Sequence, residues 1–249
     1  MQPELHLGPL TFKTFGIMFS LAFVAAGALV ARRLKEIGKP VDWAYEIAFS
    51  ALLGGFVGAR LYYMAQNWDA VKDDFFGNLF SGSGLVWYGG AIGGAIAVCI
   101  WAWRRAFLQL ALLDLAAAPL ALGYAIGRIG CQLSGDGDYG KPSDLPWAMS
   151  YPDGTVPTTD RVQPTPVYES VTMALVAWIL WSLRDRLAPG LLFALYLVLS
   201  GLERFLVEFV RRNDEVWAGL TVPQIESLVL MVIGLAWIAL ATRRRAVLA

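Results

Sequence analysis

The sequence predicts an all-α polytopic integral membrane protein of about seven transmembrane helices, with the N-terminus outside and the C-terminus cytoplasmic. Three observations predict it. Of 249 residues, 57% are hydrophobic and only 16% charged, against about 25% charged in a soluble globule. Mean hydropathy is +0.54 and the chain holds ten Trp. Apolar stretches near the roughly 20 residues that a bilayer core of about 30 Å requires recur at 11–31, 45–66, 84–103, 108–130, 166–183, 190–210 and 222–242.

The first stretch reads as a retained span. Its basic residues, Arg32, Arg33 and Lys35, follow the apolar run instead of preceding it. Orientation follows from the remaining basic residues. Alternate connections hold Arg32, Arg33, Lys35, Lys39, Arg104, Arg105, Arg184, Arg186 and Arg243 to Arg245, eleven on one side. The other side holds six: Lys13, Lys72, Lys141, Arg161, Arg211 and Arg212. The richer side is cytoplasmic. Residues 1–249 thus form a single transmembrane helical domain, and the polar segment 131–165 is an extracytoplasmic loop over any site at that surface. For an inner-membrane protein that surface is the periplasmic or extracytoplasmic one.

Composition excludes several functions. The 20 Lys+Arg balance 20 Asp+Glu, which leaves no electrostatic case for nucleic acid. Two cysteines 32 residues apart, one His and no C-x-x-C exclude a disulfide scaffold and a structural zinc site. No metal and no cofactor are expected.

Three basic residues remain, Arg60, Arg128 and Arg204, toward the outer ends of spans two, four and six. A charge at membrane depth costs about 2.5–3.5 kcal/mol on insertion scales, so it faces protein or water. Either the three snorkel separately to the headgroups, or they line one cationic cavity near the outer leaflet. The spacings Gly54 to Gly58, Gly89 to Gly93 and Gly90 to Gly94, in a run that also holds Gly84, predict close helix packing.

The densest polar run is Gly127-Arg128-Ile129-Gly130-Cys131-Gln132-Leu133-Ser134-Gly135-Asp136-Gly137-Asp138-Tyr139-Gly140. Its five glycines permit tight turns and close backbone approach, so that amide groups with Arg128 surround an anionic headgroup. Asp136 and Asp138 lack the following Glu of a calcium loop. In span six, Arg204, Glu208 and Arg211 share one helix face, with Glu203 about 100° away.

These residues, with Leu7-Gly8-Pro9, Gly58-Ala59-Arg60, Tyr88-Gly89-Gly90-Ala91-Ile92-Gly93, Pro164-Thr165-Pro166-Val167-Tyr168-Glu169 and Arg204-Phe205-Leu206-Val207-Glu208-Phe209, resemble the prolipoprotein diacylglyceryl transferases over nearly the whole chain. The resemblance implies an enzyme that moves the diacylglyceryl group of phosphatidylglycerol to the lipobox cysteine thiol of a prolipoprotein signal peptide, releasing glycerol phosphate. It implies Arg128, Arg204, Glu208 and Tyr88 as catalytic residues. Lipid and peptide contacts fall on Arg128, Arg204, Arg60, Gly89, Gly90, Gly127, Gly130, Asp136, Asp138, Gly140, Tyr168 and Glu169. Its partners are phosphatidylglycerol, the precursor peptide and membrane lipid.

The chain departs from the family pattern at five places: Tyr88 replaces a histidine, Cys131 an asparagine, Phe15 a tyrosine, Gln163 a histidine, and the glycine loop is one residue longer. Tyr88, Glu208, Asp136 and Asp138 are alternative proton acceptors. A relative that binds anionic lipid or signal peptides without turnover is the alternative reading of the chain. A secondary transporter would show inverted repeats, which the sequence lacks.

Overall fold

The computed structural model describes residues 1–71, 77 and 86–248. Gly84, Lys72 and the first two residues of the third expected span lie outside the described residues. Seven helices of eighteen residues or more stand among those described: α1 Thr14–Glu36, α2 Trp43–Gln66, α3 Trp87–Arg104, α4 Leu110–Ser134, α5 Thr165–Leu183, α6 Leu191–Glu208 and α7 Val222–Leu248. Five of them, α1, α2, α4, α5 and α7, are long and apolar enough to cross a membrane by length and composition. The other two are diluted: α3 carries four glycines, three tryptophans and Arg104, and α6 carries Glu203, Arg204 and Glu208. The protein is mostly helical and has the character of a multi-pass membrane protein.

The chain divides into two compact units, 31–112 and 1–30 with 113–249. In the 31–112 unit, α2 and α3 pack backbone to backbone. A Cβ added at Gly93 would fall on Gly54 O and 2.8 Å from Gly58 Cα, and one at Gly89 would fall on Gly58 O. Only the absence of side chains lets the two axes approach so closely. At the end of α3, Arg105 Nη2 and Nε and Trp101 Nε1 donate to the Glu46 carboxylate at 2.5, 3.0 and 2.6 Å.

In the other unit the core is built from small and branched side chains. Ala117, Ala118, Ala121 and Ala125 of α4 meet Met173, Val176, Ala177 and Leu180 of α5 and Leu192 of α6. The outward faces are apolar instead: Val24, Val171, Trp178 and Val232 are each at least 64% exposed. Large apolar groups outside and alanines inside is the pattern of helices solvated by lipid. The start of α6 is satisfied from a neighbouring helix: Gly190 N, at φ +87°, and Phe193 N donate to the Asp114 carboxylate at 2.6 and 2.9 Å.

Three two-stranded antiparallel hairpins supplement the helices, none of them expected from the sequence. They pair Glu4–Leu7 with Leu10–Lys13, Met149–Tyr151 with Thr158–Val162, and Glu215–Trp217 with Leu220–Thr221. The second hairpin organises the 131–165 segment around its own small core of Tyr139, Tyr151 and Val162. The Tyr139 and Tyr151 rings stack at 4.8 Å, Tyr139 OH donates to Val156 O, and the Arg212 guanidinium lies 4.3 Å from the Tyr139 ring centre. Gly140 is pinned there, because an added Cβ would overlap Val210 O and approach Thr165 Cγ2 to 2.9 Å.

Candidate active site: three guanidiniums around buried carboxylates

Helix α4 extends to Ser134, further than the hydropathy run indicates. Gly127 and Gly130 are therefore helical, and their amides belong to the helix ladder instead of a headgroup-binding turn. Of the five glycines in the run, only Gly135 and Gly137 take positive φ. Gly130 serves packing, since an added Cβ would come within 3.0 Å of Met18 Cβ and 3.4 Å of the Phe15 ring.

What α4 delivers is Arg128. Its Nε lies 3.1 Å from Glu169 Oε2 on α5, and its Nη1 bonds Asp138 in the loop after α4. From α6, Arg204 reaches the same carboxylate: Nη1 to Glu169 Oε1 is 3.0 Å, and Nη2 to Glu208 Oε2 is 3.0 Å. The two arginines from separate helices thus hold the two oxygens of one carboxylate that is fully buried. Tyr124 OH also donates to Glu169 Oε1 at 3.2 Å, and its ring centre lies 4.9 Å from the Arg128 guanidinium carbon.

Arg211 completes the cluster. Helix α6 ends at Glu208 and the backbone turns, which swings Arg211 inward to Asp138 Oδ1 at 2.5 Å and to both Glu169 oxygens at 3.3 Å. Glu208 Oε1 accepts from Asn213 Nδ2 at 2.5 Å and Thr221 Oγ1 at 2.9 Å. The sequence reading expects a cationic cavity. Among the described residues, three guanidiniums instead face three ion-paired carboxylates, with Glu203 buried nearby. The reason is physical: a buried guanidinium without a counter-charge is too costly to retain in a ligand-free fold.

Burial works against charge on Asp138, but Arg128 and Arg211 more than offset it and hold its carboxyl below the usual range. Cys131 Sγ lies 3.8 Å from Arg128 Nη1. Cys131, Asp136 and Asp138 place one ligand atom each within 4.8 Å of one another, yet both Asp138 oxygens are already on guanidiniums. Of this donor set, Asp138 is therefore committed to the ion network.

The structure brings Arg128, Asp138, Glu169, Arg204 and Glu208 into contact, as their motifs require. Asp136 instead closes a local turn by accepting from Asp138 N at 3.3 Å. Tyr168 faces the loop: Trp147 Nε1 donates to its hydroxyl at 2.6 Å, and the hydroxyl donates to Gln163 Oε1 at 2.8 Å. In the 31–112 unit, Arg60 is 1% exposed with its guanidinium 5.0 Å from the Tyr63 ring, and Tyr88 is 43% exposed. Gly89 and Gly90 belong to the α2–α3 contact. Sequence reasoning set Arg211 on one helix face with Arg204 and Glu208 without counting it among the site residues, and it assigned no role to Tyr124, Asn213 or Thr221.

Fold and site define a class: a helical membrane protein that buries a guanidinium–carboxylate cluster among its apolar helices. A model of the prolipoprotein diacylglyceryl transferase family matches residues 3–240. The chain is 34% identical over 214 residues to a phosphatidylglycerol–prolipoprotein diacylglyceryl transferase of Clostridium tetani, covering 85% of this chain and 86% of that one. A protein of the same name from Leptospira interrogans is 31% identical over 82% of this chain and 73% of its own length. Another, from Dehalococcoides mccartyi, is 32% identical over 91% and 88%. The chain belongs to the prolipoprotein diacylglyceryl transferase family, which are transferase enzymes of lipoprotein biosynthesis.

Proposed function

We propose that the protein transfers the diacylglyceryl group of phosphatidylglycerol to the lipobox cysteine of a prolipoprotein at the outer face of a bacterial inner membrane. The chain crosses that membrane seven times as one domain, with the 131–165 segment over the site. The observation that carries the reading is the pair of arginines on Glu169. Arg128 and Arg204 sit 3.1 and 3.0 Å from opposite oxygens of one carboxylate, and a phosphodiester presents two anionic oxygens in a similar fork.

Both guanidiniums retain an open edge, with side-chain exposures of 16% and 23%. Asp138, the most exposed of the paired carboxylates at 33%, is the one a lipid phosphate displaces. Sulfur attack on the glyceryl carbon breaks the carbon–oxygen bond, and negative charge accumulates on departing glycerol phosphate. Two preorganised guanidiniums stabilise that charge most where water is scarce. Glu169 and Glu208 hold the arginines in register, and Arg211 braces both carboxylates. Arg60, Gly89, Gly90, Asp136, Gly140 and Tyr168 keep the lipid- or peptide-contacting roles, and Tyr88 the catalytic one, that family resemblance gives them.

The test is direct. Purified protein with phosphatidylglycerol and a lipobox peptide yields a thioether-linked diacylglyceryl peptide and free glycerol phosphate. Saturable lipid or peptide binding with neither product would overturn the assignment in favour of a binding protein.

A further inference from the structure

Transfer to a thiol requires that its proton go somewhere, and the histidine that family resemblance places before Gly89 is Tyr88 here. Three of the carboxylates already described are poorly placed to take it. Glu169 accepts from three arginines and Tyr124. Glu208 Oε1 is held by Asn213 and Thr221, while Oε2, buried like Glu203 Oε1 without a hydrogen-bond partner among the described residues, is ion-paired to Arg204 Nη2 at 3.0 Å, and Asp138 has a guanidinium on each oxygen. Lone pairs already occupied by N–H and O–H donors do not accept another hydrogen without breaking a charge-assisted bond.

One further carboxyl is buried beside the same cluster. Glu203 of α6 is 7% exposed, and its Oε1 is buried without a hydrogen-bond partner among the described residues. The groups facing it are Tyr196 and Arg204 on its own helix, Tyr124 and Arg128 from α4, Glu169 from α5, and Arg211 after α6, all close enough to interact electrostatically. A buried acceptor left unmade costs about 1–3 kcal/mol, so its retention beside three guanidiniums calls for a function.

We propose that Glu203 is the proton acceptor for the lipobox thiol, an inference that rests on the transferase reading. The S–H proton passes to Glu203 Oε1 as the sulfur lone pair attacks the glyceryl carbon. The carbon–oxygen electron pair leaves on glycerol phosphate, which takes the proton back from Glu203. Reactants and products balance without a further reagent.

The experiment compares two peptides, one with the lipobox cysteine and one with selenocysteine, whose selenol is ionised at neutral pH and needs no base. Glu203→Gln lowers kcat for the cysteine peptide about 10²-fold, the scale of a lost general base. KM for phosphatidylglycerol stays within twofold, and the selenocysteine peptide restores turnover to within about threefold of the parent. Glu203→Asp, which keeps an acceptor on a shorter arm, slows the cysteine reaction about tenfold and the selenocysteine reaction not at all; it decides the matter if the Gln variant does not fold. Unchanged kcat with cysteine, or equal losses with both peptides, overturns the proposal and leaves the transferase reading standing. A parent protein that yields no thioether or selenoether with either peptide brings down the reading itself.

Discussion

Arginine chemistry at the level of single residues determines which substitutions are informative. Removing Arg204 altogether leaves Glu169 and Glu208 buried with less counter-charge, and breaking a buried pair typically destabilises by about 3–5 kcal/mol. Arg204→Ala therefore confounds folding with chemistry. Arg204→Lys and Arg128→Lys keep the charge but lose the planar fork, so kcat/KM for transfer falls about 10²–10³-fold while thermal unfolding stays within a few degrees of the parent. Near-parental transfer by either lysine variant would show that bidentate contact is not used. Cys131, 8% exposed and 3.8 Å from Arg128, is a packing residue in this account, and Cys131→Ser keeps transfer within about twofold. Asp138 adds a pH dependence whose sign is fixed. Its carboxyl is held low in the fold, so its contribution is present above the unfolded value near 4 and is lost as pH falls through the folded one. Unfolding midpoints of the parent should drop through that acid range, and those of Asp138→Asn should start lower and drop less.

At the level of elements, the cap on α6 is the most separable contact. Asp114 replaces the side-chain cap that Gly190 lacks, and Asp114→Ala should cost about 1–2 kcal/mol, read as a lowered denaturation midpoint with transfer retained in the folded fraction. Five of the helices were legible as apolar runs of span length, α3 and α6 as shorter apolar runs diluted by glycine or charge, and the arginines and carboxylates because charge is conspicuous in such runs. The hairpins were not: Glu4–Leu7 and Leu10–Lys13 alternate polar and apolar residues over only four positions each, and Glu215–Trp217, three residues exposed throughout, is too short to show a period. The contact of Arg211 with Glu208 follows from spacing, but the turn that carries it to Asp138 begins where α6 stops. Glu203 was set aside because it points about 100° from Arg204. The structure buries it nonetheless, because α6 is enclosed on more than the arginine face.

For the whole molecule, the arrangement makes sense only if the arginine cluster and the 131–165 segment lie on the side from which a secreted precursor and its signal peptide are accessible. Basic residues supply that expectation, eleven against six, since cytoplasmic connections hold the excess of Lys and Arg. The five helices that satisfy length and composition do not by themselves count the crossings; α3 and α6 decide the number, and with it the side on which each connection lies. Single cysteines in a Cys99→Ser, Cys131→Ser background test this in intact cells with a maleimide that does not cross membranes. Ser143→Cys, in the loop after α4, should label without permeabilisation. Asp185→Cys, after α5, should label only once the inner membrane is opened. If α6 did not cross, Glu226→Cys at the start of α7 would label with the Asp185→Cys pattern, whereas seven crossings give it the pattern of Ser143→Cys. A reversed result at position 143 would put Arg128 and Arg204 on the cytoplasmic side, away from any exported lipobox.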